Sequence, residues 1–192
     1  NAHFASYLDT SDDWIMTRTG INERRRLRHG ATSDLAVGAA RVALERRGWT
    51  ADDLHLIICC TVTPDMLFPA TACVIQDKLG AKNCWGFDLS AACSAFLFGL
   101  ETATRFIESG AYERILVIGA DKMSSILDYN DRNTCVLFGD GAGAVIVEPS
   151  DDQDTGIIDS FLRIDGSGGQ HLHMKAGGSL NPATAETVEK KW

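Results

Sequence analysis

The sequence has no long hydrophobic run. Its longest apolar stretches, such as Leu54 to Val62, stop well short of the roughly 18 residues that a membrane-spanning helix needs, so no such helix is expected. The N-terminus, NAHFASYLDTSDDW, lacks the positive-then-apolar order of a secretory signal. An initiator methionine is also absent, which leads us to expect sequence upstream. Positive charge is in deficit: 18 Lys and Arg stand against 26 Asp and Glu, a net charge of −8. That balance argues against a general nucleic-acid binder, whose affinity rests on a basic face that neutralises phosphates. None of the six cysteines forms a Cys-x-x-Cys pair, which removes the usual zinc-knuckle and thioredoxin-type readings. His171 and His173 have no plausible third ligand nearby in sequence, so no metal is expected. Adjacent Cys59 and Cys60 lie in an apolar, strand-like run, and a reducing, cytoplasmic compartment is the simplest account of the thiols.

What is present is 192 residues, 45% of them hydrophobic, enough for one domain with a sizeable core or for part of a larger unit. Hydrophobic periodicity alternates between two kinds. SDLAVGAARVALERRG opens on Ser33 and Asp34, repeats apolar residues at Leu35, Ala39, Val42 and Ala43, and stops at Gly48, the pattern of an amphipathic helix. LHLIICCTVT follows as a buried-strand run, and PATACVIQDKLG reads as a second helix ended by Gly80. CWGFDLS is a strand, and the segment from Cys93 to about Ser109 is a helix apolar on several faces, expected in the interior. RILVIGAD, AGAVIVEPS and GIIDSFLRIDG complete five predicted strands. The result is an α/β fold with a mixed, mostly parallel sheet and an antiparallel addition at the last two runs. Beyond Asp165 the chain is rich in Gly, Ala, Thr and Ser without periodicity, so 1–165 is expected to form the folded part and 166–192 a Gly-rich loop.

Two features invite chemistry. Cys93 falls where the GFDLS strand runs into the AFLFGL helix. Cysteine is often simply a small core hydrophobe, but this position is also where α/β folds place ligands, and a helix N-terminus favours a thiolate and an oxyanion. The run Arg24, Arg25, Arg26 and Arg28 is either a solvated surface loop or a contact for ligand phosphates or an acidic partner. FGDGAGAVIV, by contrast, is not a dinucleotide-binding loop. Its glycines precede a β-branched run instead of opening a helix, and they suit a backbone that turns tightly or passes close under a neighbouring site.

TSDDWIMTRTGINERR, FPATACVIQDKLG, GFDLSAACSAFLFGL, DRNTCVLFGDGAGAVIVEPS and RIDGSGG occur in an order and spacing that resemble β-ketoacyl-acyl carrier protein synthase III, the condensing enzyme that starts bacterial type II fatty acid synthesis. The resemblance implies the thiolase-like fold, two α/β halves in αβαβα layers, of which this chain resembles the N-terminal half, and a homodimer. It assigns Cys93 as the acylated thiol and Trp14 and Arg132 as the residues flanking the coenzyme A adenine. Arg18 is placed near the phosphates, Thr10 and Thr19 at neighbouring contacts, and Phe68 at the partner's acyl pocket. From the residues alone, Trp14 would be a surface aromatic, Arg18 and Arg132 ordinary charges and Phe68 core. Acyl-coenzyme A and malonyl-acyl carrier protein are the implied partners, with no metal or redox cofactor.

The family's catalytic histidine and asparagine have no counterpart here, and His171 and His173 are not given that role. The family's first strand is also missing, and Asn133 stands where many relatives have glycine. Two alternatives stay open: a ketosynthase of polyketide or other secondary metabolism, and a non-catalytic half-fold that only pairs with a partner.

Overall fold

A computed structural model describes residues 1–152 and 154–192, which divide into two compact units, Asn1–Ser160 and Phe161–Trp192. The first unit begins with helices α1 (Ala2–Ala5), α2 (Asp12–Thr19) and α3 (Thr32–Arg47). Strand β1 (Leu56–Cys60), helix α4 (Thr71–Leu79), strand β2 (Trp85–Leu89) and helix α5 (Ala95–Glu108) follow, and then strands β3 (Ile115–Lys122) and β4 (Asp140–Val147). The strands form one sheet in the order β2-β1-β3-β4. β1 pairs parallel with both β2 and β3, and β4 closes the other edge antiparallel to β3.

The strand residues are apolar on both faces because helices cover both. Ile57, Cys59, Leu116, Ile118 and Ala120 pack with α3 and α4, while Leu56, Ile58, Cys60, Ile115 and Val117 pack with α5. This alternation is the period-2 geometry of a strand buried on each side. The helices stop as their sequences demand: α3 and α4 end on Gly48 and Gly80, both left-handed. Asp88, on β2, reaches across to start α4, its two carboxylate oxygens accepting from the Thr71 and Ala72 N–H groups at 2.6 and 2.7 Å.

Four of the five predicted strands are present, and the structure corrects three readings. GIIDSFLRIDG has no strand; the antiparallel addition is β4 against β3. The buried face of α3 is Ala36, Val37, Ala40 and Leu44, not the stripe through Leu35, Ala39, Val42 and Ala43, because α3 also packs on α4 and β4 and its buried arc is rotated accordingly. Helix α5 is not wholly interior: Ala95, Gly99 and Ala103 are buried against the sheet, but Leu97 on the far side is 60% exposed.

The second unit contains a 3₁₀ turn (Gly166–Gln170) and a short helix, α6 (Ala185–Glu189), capped by the Thr184 hydroxyl. Ala176 and Thr187 are its buried residues.

Candidate active site

The parallel pairing of β1, β2 and β3 puts the C-terminal ends of all three strands at one side of the sheet. β2 ends at Leu89, the chain turns through Ala91, and a 3₁₀ turn, Ala92–Ser94, leads directly into α5. Ala92 has a φ of 48°, the left-handed region that a side chain rarely occupies. The strained residue makes a sharp strand-to-helix corner and leaves Ala92, Cys93 and Ser94 exposed. Cys93 is therefore no core hydrophobe.

Cys93 opens into a cavity of about 390 Å³ whose wall includes Cys60, Phe96, Gly119, Asp121, Met123 and the β4 glycines. Gly139, Gly141 and Gly143 all line it, so the expectation that these glycines pass beneath a neighbouring site is met. Gly139 is also confined from behind: a Cβ there would come within 3.0 Å of the Arg25 carbonyl oxygen. Asp121 is fixed by four bonds to one carboxylate oxygen, from the Thr61 and Thr63 hydroxyls and the Val62 and Thr63 N–H groups, at 2.9 to 3.2 Å. The other thiol in the wall is inert: burial, reinforced by the Asp121 charge, pushes Cys60 up to about 11. Burial likewise raises Cys59 far above the ordinary thiol range, with Asp88 as the next cause.

A second cluster forms on α2. Two guanidinium groups lie over the Trp14 ring, Arg18 at 4.4 Å and Arg132 at 4.9 Å from its centroid. Arg132 is held there by the Asp9 carbonyl and, at 3.2 Å, by the Asp9 carboxylate. The Thr19 hydroxyl is spent inside the helix, donating to the Ile15 carbonyl at 2.8 Å, whereas the Thr10 hydroxyl oxygen is buried without a partner. Neither Trp14, Arg18, Arg132, Thr10, Thr19 nor Phe68 is part of the wall around Cys93. The two clusters are joined by one segment: Met123 and Gly139 both line the cysteine cavity, and Arg132 stands between them in sequence. Phe68 is 84% exposed on the loop before α4, which corrects the reading of it as core.

Sequence reasoning had not singled out Met123, Asp121 or Asp140 for the site. The FGDGAGA pattern contained a usable signal for the last, since a carboxylate among glycines at a strand start has backbone donors within reach.

A mixed, mostly parallel sheet with helices on both faces is the thiolase-like fold of solved synthases. A solved β-ketoacyl-[acyl carrier protein] synthase III from Thermus thermophilus superposes with a TM-score of 0.87 at 40% identity, over 97% of this chain and 57% of its own. The priming β-ketosynthase of the R1128 polyketide pathway superposes with a TM-score of 0.76 at 38% identity, over 79% of this chain and 46% of its own.

The sequence profile of the family described as 3-oxoacyl-[acyl-carrier-protein (ACP)] synthase III matches residues 87–166. The β-ketoacyl-[acyl-carrier-protein] synthase III of Chlorobium phaeovibrioides is 57% identical over 192 residues, 98% of this chain and 58% of that protein. The chain belongs to the β-ketoacyl-acyl carrier protein synthase III family, and it spans a little under three fifths of the curated relatives it matches.

Proposed function

We propose that this chain carries the acyl-accepting part of a β-ketoacyl-acyl carrier protein synthase III. The observation that carries the reading is the exposed thiol of Cys93 at the corner between β2 and α5, opening into a cavity of about 390 Å³. The Cys93 thiolate attacks the thioester carbonyl of a short-chain acyl-coenzyme A of the acetyl class, and N–H groups at the start of α5 face the resulting oxyanion. Collapse of the intermediate breaks the carbon–sulfur bond to coenzyme A, whose thiolate takes the proton given up by Cys93. Malonyl-acyl carrier protein then loses carbon dioxide, and its carbanion attacks the acyl-cysteine. β-Ketoacyl-acyl carrier protein leaves, and the Cys93 thiolate is restored. The histidine and asparagine that stabilise the enolate in relatives are not assigned to any residue of this chain. Decarboxylation itself generates the carbanion, so the reaction calls for no metal or redox cofactor.

Coenzyme A is held at Trp14, with the adenine between Trp14 and Arg132, the phosphates near Arg18, and Thr10 and Thr19 alongside. The buried, unpartnered Thr10 hydroxyl supports a polar ligand contact there. Trp14 and Arg132 are stacked directly on one another, so an adenine needs Arg132 to lift away, since a ring requires about 3.5 Å of clearance on each side. Phe68 projects into solvent as a residue offered to a second copy would, and β2 is an edge strand able to face a partner, which together support a homodimer. We assign the protein to the cytoplasm on its thiols and its substrates. The similarity to the R1128 priming ketosynthase favours one second reading, a primer-loading ketosynthase of polyketide synthesis acting through the same Cys93.

Isothermal titration with coenzyme A tests the substrate assignment. Trp14→Ala and Arg132→Ala should each weaken binding by about tenfold, the worth of one stacking partner. Affinity unchanged in both variants overturns it.

A further inference from the structure

We infer that Asp140 is a positioning residue that sets how long an acyl chain the Cys93 cavity accepts. The inference rests on the reading of Cys93 as the acylated thiol. Asp140 sits at the start of β4, and its carboxylate gathers three donors. One oxygen accepts from the Leu27 N–H and the Ser124 hydroxyl, each at 2.7 Å, and the other accepts from the Ser124 N–H at 2.8 Å. Its own N–H donates to the Arg25 carbonyl at 2.8 Å. One side chain thus ties together the arginine-rich loop, the 3₁₀ turn Met123–Ser125 and the first residues of β4.

Two of these three segments are walls of the cysteine cavity. Met123, next to Ser124, lines it, as do Gly139 and Gly141 on either side of Asp140. Most of the remaining lining is small: glycine, alanine and cysteine, with Phe96 and Asp121 as the larger exceptions. Met123 is the one long flexible side chain there, and an unbranched thioether fills whatever space its backbone allows. Its backbone is fixed through Ser124 by Asp140. Gly139 itself packs closely on the arginine-rich loop, where an added Cβ would meet the Arg25 oxygen at 3.0 Å and the Arg24 Cβ at 3.2 Å. Releasing the Asp140 knot lets the Met123 turn and the β4 glycines separate, and the cavity lengthens.

The test needs no coenzyme A. The rate of Cys93 modification by methyl and by hexyl methanethiosulfonate is followed on the Cys93 peptide by mass spectrometry, because Cys73 is also exposed. In each reaction the thiolate forms a disulfide with the reagent and methanesulfinate leaves. Asp140→Asn should shift the hexyl-to-methyl rate ratio toward hexyl by about tenfold, the scale of a change of a methylene or so in pocket length. Ser124→Ala, which removes a single donor and keeps the carboxylate, should shift it in the same direction by less, and it serves should Asp140→Asn fail to fold. Folded variants that keep the wild-type ratio overturn the role of Asp140 and leave the Cys93 reading standing. A wild-type ratio without length discrimination also overturns the role of Asp140, whereas a folded wild type in which neither reagent modifies Cys93 overturns the Cys93 reading as well.

Discussion

At Ala92 the chain adopts a backbone conformation that costs an L-residue about 1–2 kcal/mol, and it does so one position before the proposed nucleophile. Ala92→Gly should therefore fold at least as stably as the parent, while Ala92→Val should lose about 1–2 kcal/mol or more in denaturant unfolding. Equal stability of the two variants would remove the argument for strain at the corner. The thiols offer a second test at this scale. Cys59, Cys60 and Cys135 are buried and raised above the ordinary thiol value, whereas Cys73 and Cys93 are exposed. Brief iodoacetamide treatment at pH 8 should label Cys73 and Cys93 and spare those three, as read by peptide mass spectrometry. Two carboxylates make the acid limb predictable. Asp34 is held below its ordinary 3.8 first by the Lys78 hydrogen bond and then by the Ala31 N–H, and Asp53 by the Thr50 N–H and hydroxyl. Their contribution is complete above pH 3.8 and is lost as pH falls through the lower folded-state values. Asp34→Asn should thus lower the melting temperature at pH 7, by an amount that shrinks as pH falls below 3.8.

Between the elements, the closest fit is that of α5 on the sheet. A Cβ at Gly99 would lie 2.6 Å from the Cys60 sulfur and 3.2 Å from Val117, so Gly99→Ala should cost about 1–3 kcal/mol by overpacking and disturb the floor beneath Cys93. A neutral Gly99→Ala would mean that α5 is seated more loosely than described. Elements were legible in the sequence where one periodicity had one cause. β1 and β3 are apolar on both faces because both faces are covered, and α4 ends at Gly80 because its last turn needs a left-handed residue. The reading failed where partners across space decided. The apolar run at Ile157 and Ile158 looked like a strand, yet it has no ladder to join and both side chains are exposed. The α3 stripe was misplaced because contacts with α4 and β4, not the helix's own periodicity, choose which arc is buried. For the site, local order left Cys93 open between a core hydrophobe and a nucleophile, and the structure settles only that the thiol is exposed. The stacking of Trp14 with Arg132 joins segments far apart in the chain, which no local pattern encodes, and the FGDGAGA pattern marks Asp140 as an acceptor without naming its distant donors, Leu27 and Ser124.

Taken as a whole, the chain matches its relatives closely in sequence and fold over a little under three fifths of their length. Its first unit leaves large apolar side chains in solvent: Leu67, Phe68 and Leu97, with Met66 and Trp85 partly exposed. Isolated exposed apolar residues are ordinary, but several of this size on loop, helix and edge strand favour association. Light scattering of the 192-residue chain should show self-association at micromolar concentration, and a monodisperse monomer would contradict this.

The central claim is that Cys93 takes an acyl group from a coenzyme A thioester. The direct measurement is intact and peptide mass spectrometry of the folded chain after incubation with acetyl-coenzyme A, beside Cys93→Ala. A single acetyl adduct located on the Cys93 peptide and absent from the variant is the predicted result. No adduct on the folded wild type, or one that persists in Cys93→Ala, contradicts the account.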